Sequence, residues 1–208
     1  MHETVKNLLS IQSLINSKLL ELEEKNRIPK IIAVSKTFKI DHILPLIHHG
    51  HSDFGENKVQ EAIEKWTDIK NQNKNIHLHL IGKLQTNKVK FAVKIFDYIH
   101  SLDNEKLAKK IADEQVKQNV NPKIFIQINL GNESQKSGII KENLLDFYNF
   151  SKDLGLNIIG TMCIPPFNED STKFFSQMSE LNETINLKEL SMGMSSDYLN
   201  ALEYKATY

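Results

Sequence analysis

The stretch 31–39, IIAVSKTFK, decides the fold. Ile31, Ile32, Ala33 and Val34 form an apolar, largely β-branched run that suits a strand buried on both faces. A doubly wound nucleotide-binding sheet follows its first strand with a glycine-rich G-x-G-x-x-G turn. Here Ser35, Lys36 and Thr37 stand in that place instead. Working outward, six more short apolar runs recur: SDFG, IHLHLIG, DYIHSL, KIFIQINL, NIIGTMCI and LKELSMG. Between them, residues 40–49, 56–70, 85–95, 103–118, 141–152 and 169–185 carry helical periodicity. Strand and helix alternating in this way imply a parallel sheet with right-handed crossovers. Seven strands, with ATY at 206–208 as the start of an eighth, favour a closed barrel over an open sheet. The expected fold is therefore α/β, a single-domain (β/α)8 TIM-type barrel over residues 1–208. An extra amphipathic helix over residues 3–25 precedes it, its apolar face built from Val5, Leu8, Ile11, Ile15, Leu19 and Leu22.

Charge narrows the partners. Lys plus Arg and Asp plus Glu balance at 26 each, so no overall field attracts nucleic acid or an anionic membrane. Any bound anion must be held by a local site. Cys163 is the one cysteine, which excludes an intrachain disulfide and fits a reducing compartment. The first 25 residues are charged throughout and lack the apolar block of a signal peptide. A cytoplasmic protein with neither nucleic acid nor membrane as partner is expected, and its short loops favour a monomer.

In a parallel barrel the C-terminal strand ends converge on the active face. Read from the sequence, that ring holds Ser35-Lys36, Gly55-Glu56-Asn57, Gly82 to Gln85, Ser101, Asn129, Met162 to Pro165 and Gly193 to Ser196. A partly desolvated lysine has a neutral amine that attacks carbonyls to form a Schiff base; a lysine at a strand end also simply reaches to solvent. Both readings of Lys36 stand on spacing alone. In GMSSD, 193–197, Ser195 or Ser196 can cap the short helix begun by DYLNALE, leaving N–H groups for a phosphate. Asn57 can hydrogen-bond a ligand or cap a helix, and Glu56 and Glu61 read as complements to a helix dipole and a solvated face. His48, His49 and His51 crowd a helix end and His77 and His79 share a strand face, without the spacing of a strong zinc motif. Cys163, between Met162 and Ile164, reads as core.

The blocks AVSKT, FGENKVQEA, HLIGKLQTNK, IQINLGNESQKSG, GTMCIPP and LSMGMSSD stand in the order and spacing of the pyridoxal phosphate homeostasis protein family, also called YggS/PROSC. The resemblance runs from about residue 28 to the end. It implies a barrel similar to the alanine racemase N-terminal domain, with pyridoxal 5′-phosphate carried on Lys36. It further implies phosphate contacts from Ser195 and Ser196, with Met194 nearby and Asn57 close to the cofactor ring. Family sequences continue with a block resembling R-I-G-[ST]-x-I-F-G, whose arginine faces the pyridine nitrogen and whose Gly-Ser/Thr step completes the phosphate cradle. This sequence ends at Tyr208, so an eighth strand cut short and an open edge on strand seven are expected. The function implied is storage and delivery of the cofactor in vitamin B6 homeostasis, to apo-enzymes that depend on it, without established turnover. The alternatives are a small pyridoxal phosphate-dependent amino-acid racemase and a sugar-phosphate-binding barrel in which Lys36 pairs with phosphate. Lys88 has no assigned role, and Lys136 is a second amine that could hand the aldehyde on.

Overall fold

A computed structural model describes the chain except residues 132 and 134–136. Seven parallel strands pair in chain order: β1 (Ala33–Val34), β2 (Asp53–Glu56), β3 (His77–Leu80), β4 (Tyr98–Leu102), β5 (Lys123–Gln127), β6 (Ile158–Met162) and β7 (Glu189–Ser191). Helix α1 (Glu3–Glu21) precedes them. The connections carry α2 (Ile40–His48), α3 (Val59–Gln72), α4 (Val89–Ile95), α5 (Glu105–Gln118), α6 (Leu144–Asp153) and α7 (Thr172–Thr184), and α8 (Tyr198–Glu203) follows β7. The seven expected strands and each expected helix are present, and residues 206–208 form no strand of their own. The fold is that of a TIM-type barrel, as the alternation predicted.

Packing follows the two periodicities. The outward side chains Phe54, Leu78, Leu80, Ile99, Ile124 and Ile126 are fully buried against helix faces that include Trp66, Ile111 and Phe175. The inward side chains are partly polar, an arrangement taken up below. Strand β1 is shorter and more open than its apolar run implies: Val34 is 41% exposed. Its partner across β2 is Gly55, which has no side chain to cover it.

The edge of β7 is not open, contrary to expectation. Thr207 N–H donates to Leu190 O at 2.9 Å and Met192 N–H to Tyr208 O at 3.1 Å. On the other side, Lys30 N–H donates to Thr207 O at 2.8 Å. Residues 207–208 thus lie between β7 and the segment leading into β1, and they join the two edges of the sheet at its N-terminal end. Helix α1 covers this seam. Ile15 and Leu19 pack with Leu202, and Ile31, Tyr198 and Leu199 join the same cluster. No helix among the described residues is long and apolar enough to cross a membrane.

Candidate functional site

The C-terminal strand ends form the expected mouth. Lys36 follows β1 and is exposed, on a turn in which Thr37 adopts a left-handed φ of 67°. Its predecessor, Ser35, is buried and held at every polar group. Ser35 N–H donates to Gly55 O at 2.9 Å, and its carbonyl accepts from Lys65 Nζ at 2.8 Å and Phe38 N–H at 3.2 Å. Its hydroxyl donates to Glu56 Oε1 at 2.7 Å. The flexible lysine side chain therefore rises from a fixed base.

Glu56 corrects the sequence reading. It is fully buried, and its Oε1 also accepts from Lys65 Nζ at 2.9 Å and Trp66 Nε1 at 3.0 Å. The last residue of β2 points away from the barrel axis into the layer beneath α3. Its carboxylate is an anchor there rather than a complement to the helix dipole.

Asn57 is half-buried beside Gly82. A Cβ on Gly82 would lie 2.4 Å from the Asn57 carbonyl oxygen, so only glycine lets the ends of β2 and β3 approach this closely. Beyond β7, Gly193 has φ +91° and a Cβ there would meet Ala201 Cβ at 2.8 Å. Asp197 Oδ1 accepts from Met194 N–H at 2.6 Å and fixes the next turn. Met194, Ser195 and Ser196 are exposed. Among the described residues, the amides and hydroxyls of Ser195 and Ser196 make no hydrogen bond within the protein. Such a pair of free amides suits an anion.

A cavity of about 300 Å³ opens in the same mouth, lined by residues that include Ile81, Lys83, Gln127, Asn129, Ser137 and Ile164. None of Lys36, Asn57, Met194, Ser195 or Ser196 lines it, although Gly82 belongs to both its wall and the Asn57 contact. The larger hollow, about 490 Å³, lies along Glu23–Arg27 and shares no residue with the mouth. Gln127 was missed by the sequence reading. Its signal is a polar residue at the inward position that follows Lys123 and Phe125 along β5. Lys88 sits half-buried in the turn Thr86–Lys88 that precedes α4, and Lys136 lies outside the described residues.

Below the mouth runs a second polar system, which sequence reading reduced to paired histidines. Ser191 Oγ lies 2.8 Å from His100 Nδ1, His100 Nε2 lies 3.0 Å from His79 Nδ1, and His79 Nε2 lies 3.0 Å from Asp53 Oδ1. With Asp53 ionised and both imidazoles neutral, every proton points one way, from Ser191 towards the carboxylate. The environment favours that state. Burial pushes His100 well below its ordinary value, and His79 adds to the effect. Burial also lowers His79, against the raising effect of Asp53. Burial opposes ionisation of Asp53, but hydrogen bonds from His79 and Ser52 hold its carboxyl well below the usual carboxylate range.

At the foot of the column, Lys30 and Lys123 each donate to the Tyr98 hydroxyl, at 3.2 and 3.1 Å, and Lys30 reaches the Tyr208 hydroxyl at 3.1 Å. Burial works against the Tyr98 phenolate, yet these ammonium groups and the Tyr208 hydroxyl leave its pKa lowered. Among the described residues no group of three His, Cys, Asp or Glu side chains is disposed to hold a metal ion. Burial pushes the Cys163 thiol up to about 12, which leaves it an inert core residue.

Comparison with known proteins gives a consistent set of likenesses. A family model described as alanine racemase, N-terminal domain, matches residues 15–208. The pyridoxal phosphate homeostasis protein of Aquifex aeolicus is 35% identical over 188 residues, covering 86% of this chain and 82% of that one. The structure of PipY from Synechococcus elongatus PCC7942 with PLP bound superposes at a TM-score of 0.79, with 31% identity over 93% of this chain and 95% of that one. Alanine racemase of Clostridium difficile 630, at 12% identity and a TM-score of 0.66, shares the fold over 89% of this chain and 50% of its own.

Proposed function

The chain belongs to the pyridoxal phosphate homeostasis protein family, and on that premise we propose that Lys36 is its point of cofactor attachment. The chain binds pyridoxal 5′-phosphate in vitamin B6 homeostasis, as its relatives' name and the PLP-bound PipY structure indicate. The residues at the mouth fit that group. One observation carries the reading: an exposed lysine on a clamped strand end shares the barrel mouth with two consecutive free amides at Ser195 and Ser196. When bound, the cofactor supplies an electrophilic aldehyde and a phosphate dianion. Lys36 offers the amine for the first, and Ser195 and Ser196 offer amides and hydroxyls for the second. Gly193 would let the backbone present those amides, Asn57 would offer a hydrogen bond to the ring, and exposed Met194 would offer apolar surface at the rim.

Reversible attachment of an aldehyde needs an amine to take it up and does not need a catalytic acid–base pair. Racemisation would further require acid and base groups placed on the two faces of a substrate carbon. We infer that the chain is a carrier that buffers the cofactor and passes it to apo-enzymes. Borohydride reduction after incubation with pyridoxal phosphate, followed by peptide mapping, tests the attachment point. A stable adduct on Lys36 is expected, and reduction at other lysines alone would refute it. Amino-acid racemisation or transamination that disappears in Lys36→Ala would replace the carrier with an enzyme.

A further inference from the structure

Ser35, Glu56, Lys65 and Trp66 form a closed cluster behind the strand end, outside the mouth itself. From it we infer that Lys65, held by Glu56, is a positioning residue: it locks the peptide that bears Lys36 and thereby sets how long the cofactor stays bound. This inference rests on the reading of Lys36 given above. Lys65 comes from the second turn of α3, 30 residues beyond Ser35, and its side chain is 15% exposed. Its ammonium makes two bonds at once, to the Ser35 carbonyl at 2.8 Å and to Glu56 Oε1 at 2.9 Å. The carbonyl it grips is the one that precedes the Lys36 amide.

The cluster holds more than a stable fold needs at this point. Ser35 is already tied to β2 by its N–H, through Gly55 O at 2.9 Å. A buried ion pair is weak evidence of net stabilisation, because desolvation offsets the attraction. What the pair does provide is direction. Three donors, Ser35 Oγ, Lys65 Nζ and Trp66 Nε1, meet on one oxygen of a fully buried carboxylate. That anchor leaves the Lys65 ammonium one position from which it reaches the strand end. An attachment lysine whose own side chain is free and exposed gains its aim only from the backbone beneath it. Loosening that backbone spreads the amine over more directions and lowers the fraction facing the aldehyde.

The test uses Lys65→Met, Lys65→Arg and the paired variant Glu56→Gln with Lys65→Met. The paired variant leaves no unpaired buried charge, so it reports even where Lys65→Met fails to fold. Hydrogen exchange of the cofactor-free protein reads the clamp directly, without the cofactor. In the paired variant, exchange across residues 35–38 is expected to accelerate roughly tenfold, as the loss of a charge-assisted bond implies, with the β4–β5 amides unchanged. Release of pyridoxal phosphate, followed by absorbance, is expected to quicken by a similar factor, and Lys65→Arg to restore most of both. Wild-type exchange at 35–38, or faster exchange with unchanged release, would overturn the proposal and leave the cluster a packing device. Lys36→Ala, run alongside, separates the two claims. An adduct that persists without Lys36 refutes the attachment point and with it the link to release, whereas an adduct lost only in that variant confines any failure to the clamp.

Discussion

The two ends of the barrel use polar residues in opposite ways. At the C-terminal mouth, Lys36, Ser195 and Ser196 stand exposed, and among the described residues the amides and hydroxyls of the two serines have no hydrogen-bond partner. Within the barrel, Asp53, His79, His100 and Ser191 are buried and each is bonded to the next. A polar group left free at a surface is available to a ligand, whereas one paired in the interior specifies which strands lie side by side. The contrast assigns binding to one end and architecture to the other, and it can be broken by experiment.

The largest effect belongs to Lys36→Ala. Adduct formation should be lost entirely while the unfolding free energy measured in urea stays within about 0.5 kcal/mol of wild type, since the side chain is exposed. A large loss of stability would mean that the mouth, too, is structural. His100→Ala should do the reverse. Removing a fully buried ring that bonds Ser191 and His79 and stacks on Phe125 at 4.3 Å should cost about 3–5 kcal/mol in urea unfolding. The folded fraction should keep near-normal affinity for pyridoxal phosphate, and a collapse in affinity would tie the column to the site.

Acid should act through the same column. His79 and His100 have lowered pKa values in the folded chain, so the unfolded chain takes up protons first as pH falls below about 6.5. Asp53, held low in the folded state, adds stability that is complete above its unfolded pKa and is lost as pH falls further. The histidine contribution makes stability rise with pH through the range below about 6.5, and the Asp53 contribution is lost only at lower pH, as its unfolded carboxylate would begin to protonate. Unfolding followed across that range should show a flattened profile in His100→Phe; an unchanged slope would place the linkage elsewhere. Smallest of all, Asn57→Ala should weaken cofactor binding by only a few-fold, about 1 kcal/mol for one hydrogen bond, as measured by absorbance titration.

Much of this molecule is legible in its sequence because the signals are local. Apolar runs such as KIFIQINL mark strands, and Gly193 with the serines after it marks a turn, without reference to distant residues. Glu56 was misread because its partners Ser35, Lys65 and Trp66 come together only once α3 packs on the sheet. The histidine column was missed for the same reason. His79 meets His100 only through the pairing of β3 with β4, and Ser191 on β7 meets His100 only across the curved sheet, which no period along the chain reveals. The segment 206–208 was legible as the start of an eighth strand, but not that it would close the edge of β7, since its hydrogen bonds run to Leu190 and Lys30 rather than to neighbours in sequence.

That closure has a kinetic consequence. The bond between Lys30 and the Tyr208 hydroxyl spans 178 residues, so the ring of strands is completed by a contact between segments near the two ends of the described chain. Joining ends so far apart carries a length-dependent entropy of roughly 5 kcal/mol, and contacts of that kind slow folding. The seam is therefore expected to form last, after the β3–β6 staves have assembled. In pulse-labelled refolding, the Lys30 and Thr207 amides should gain protection after those of β4 and β5; simultaneous protection would point to a ring that condenses all at once.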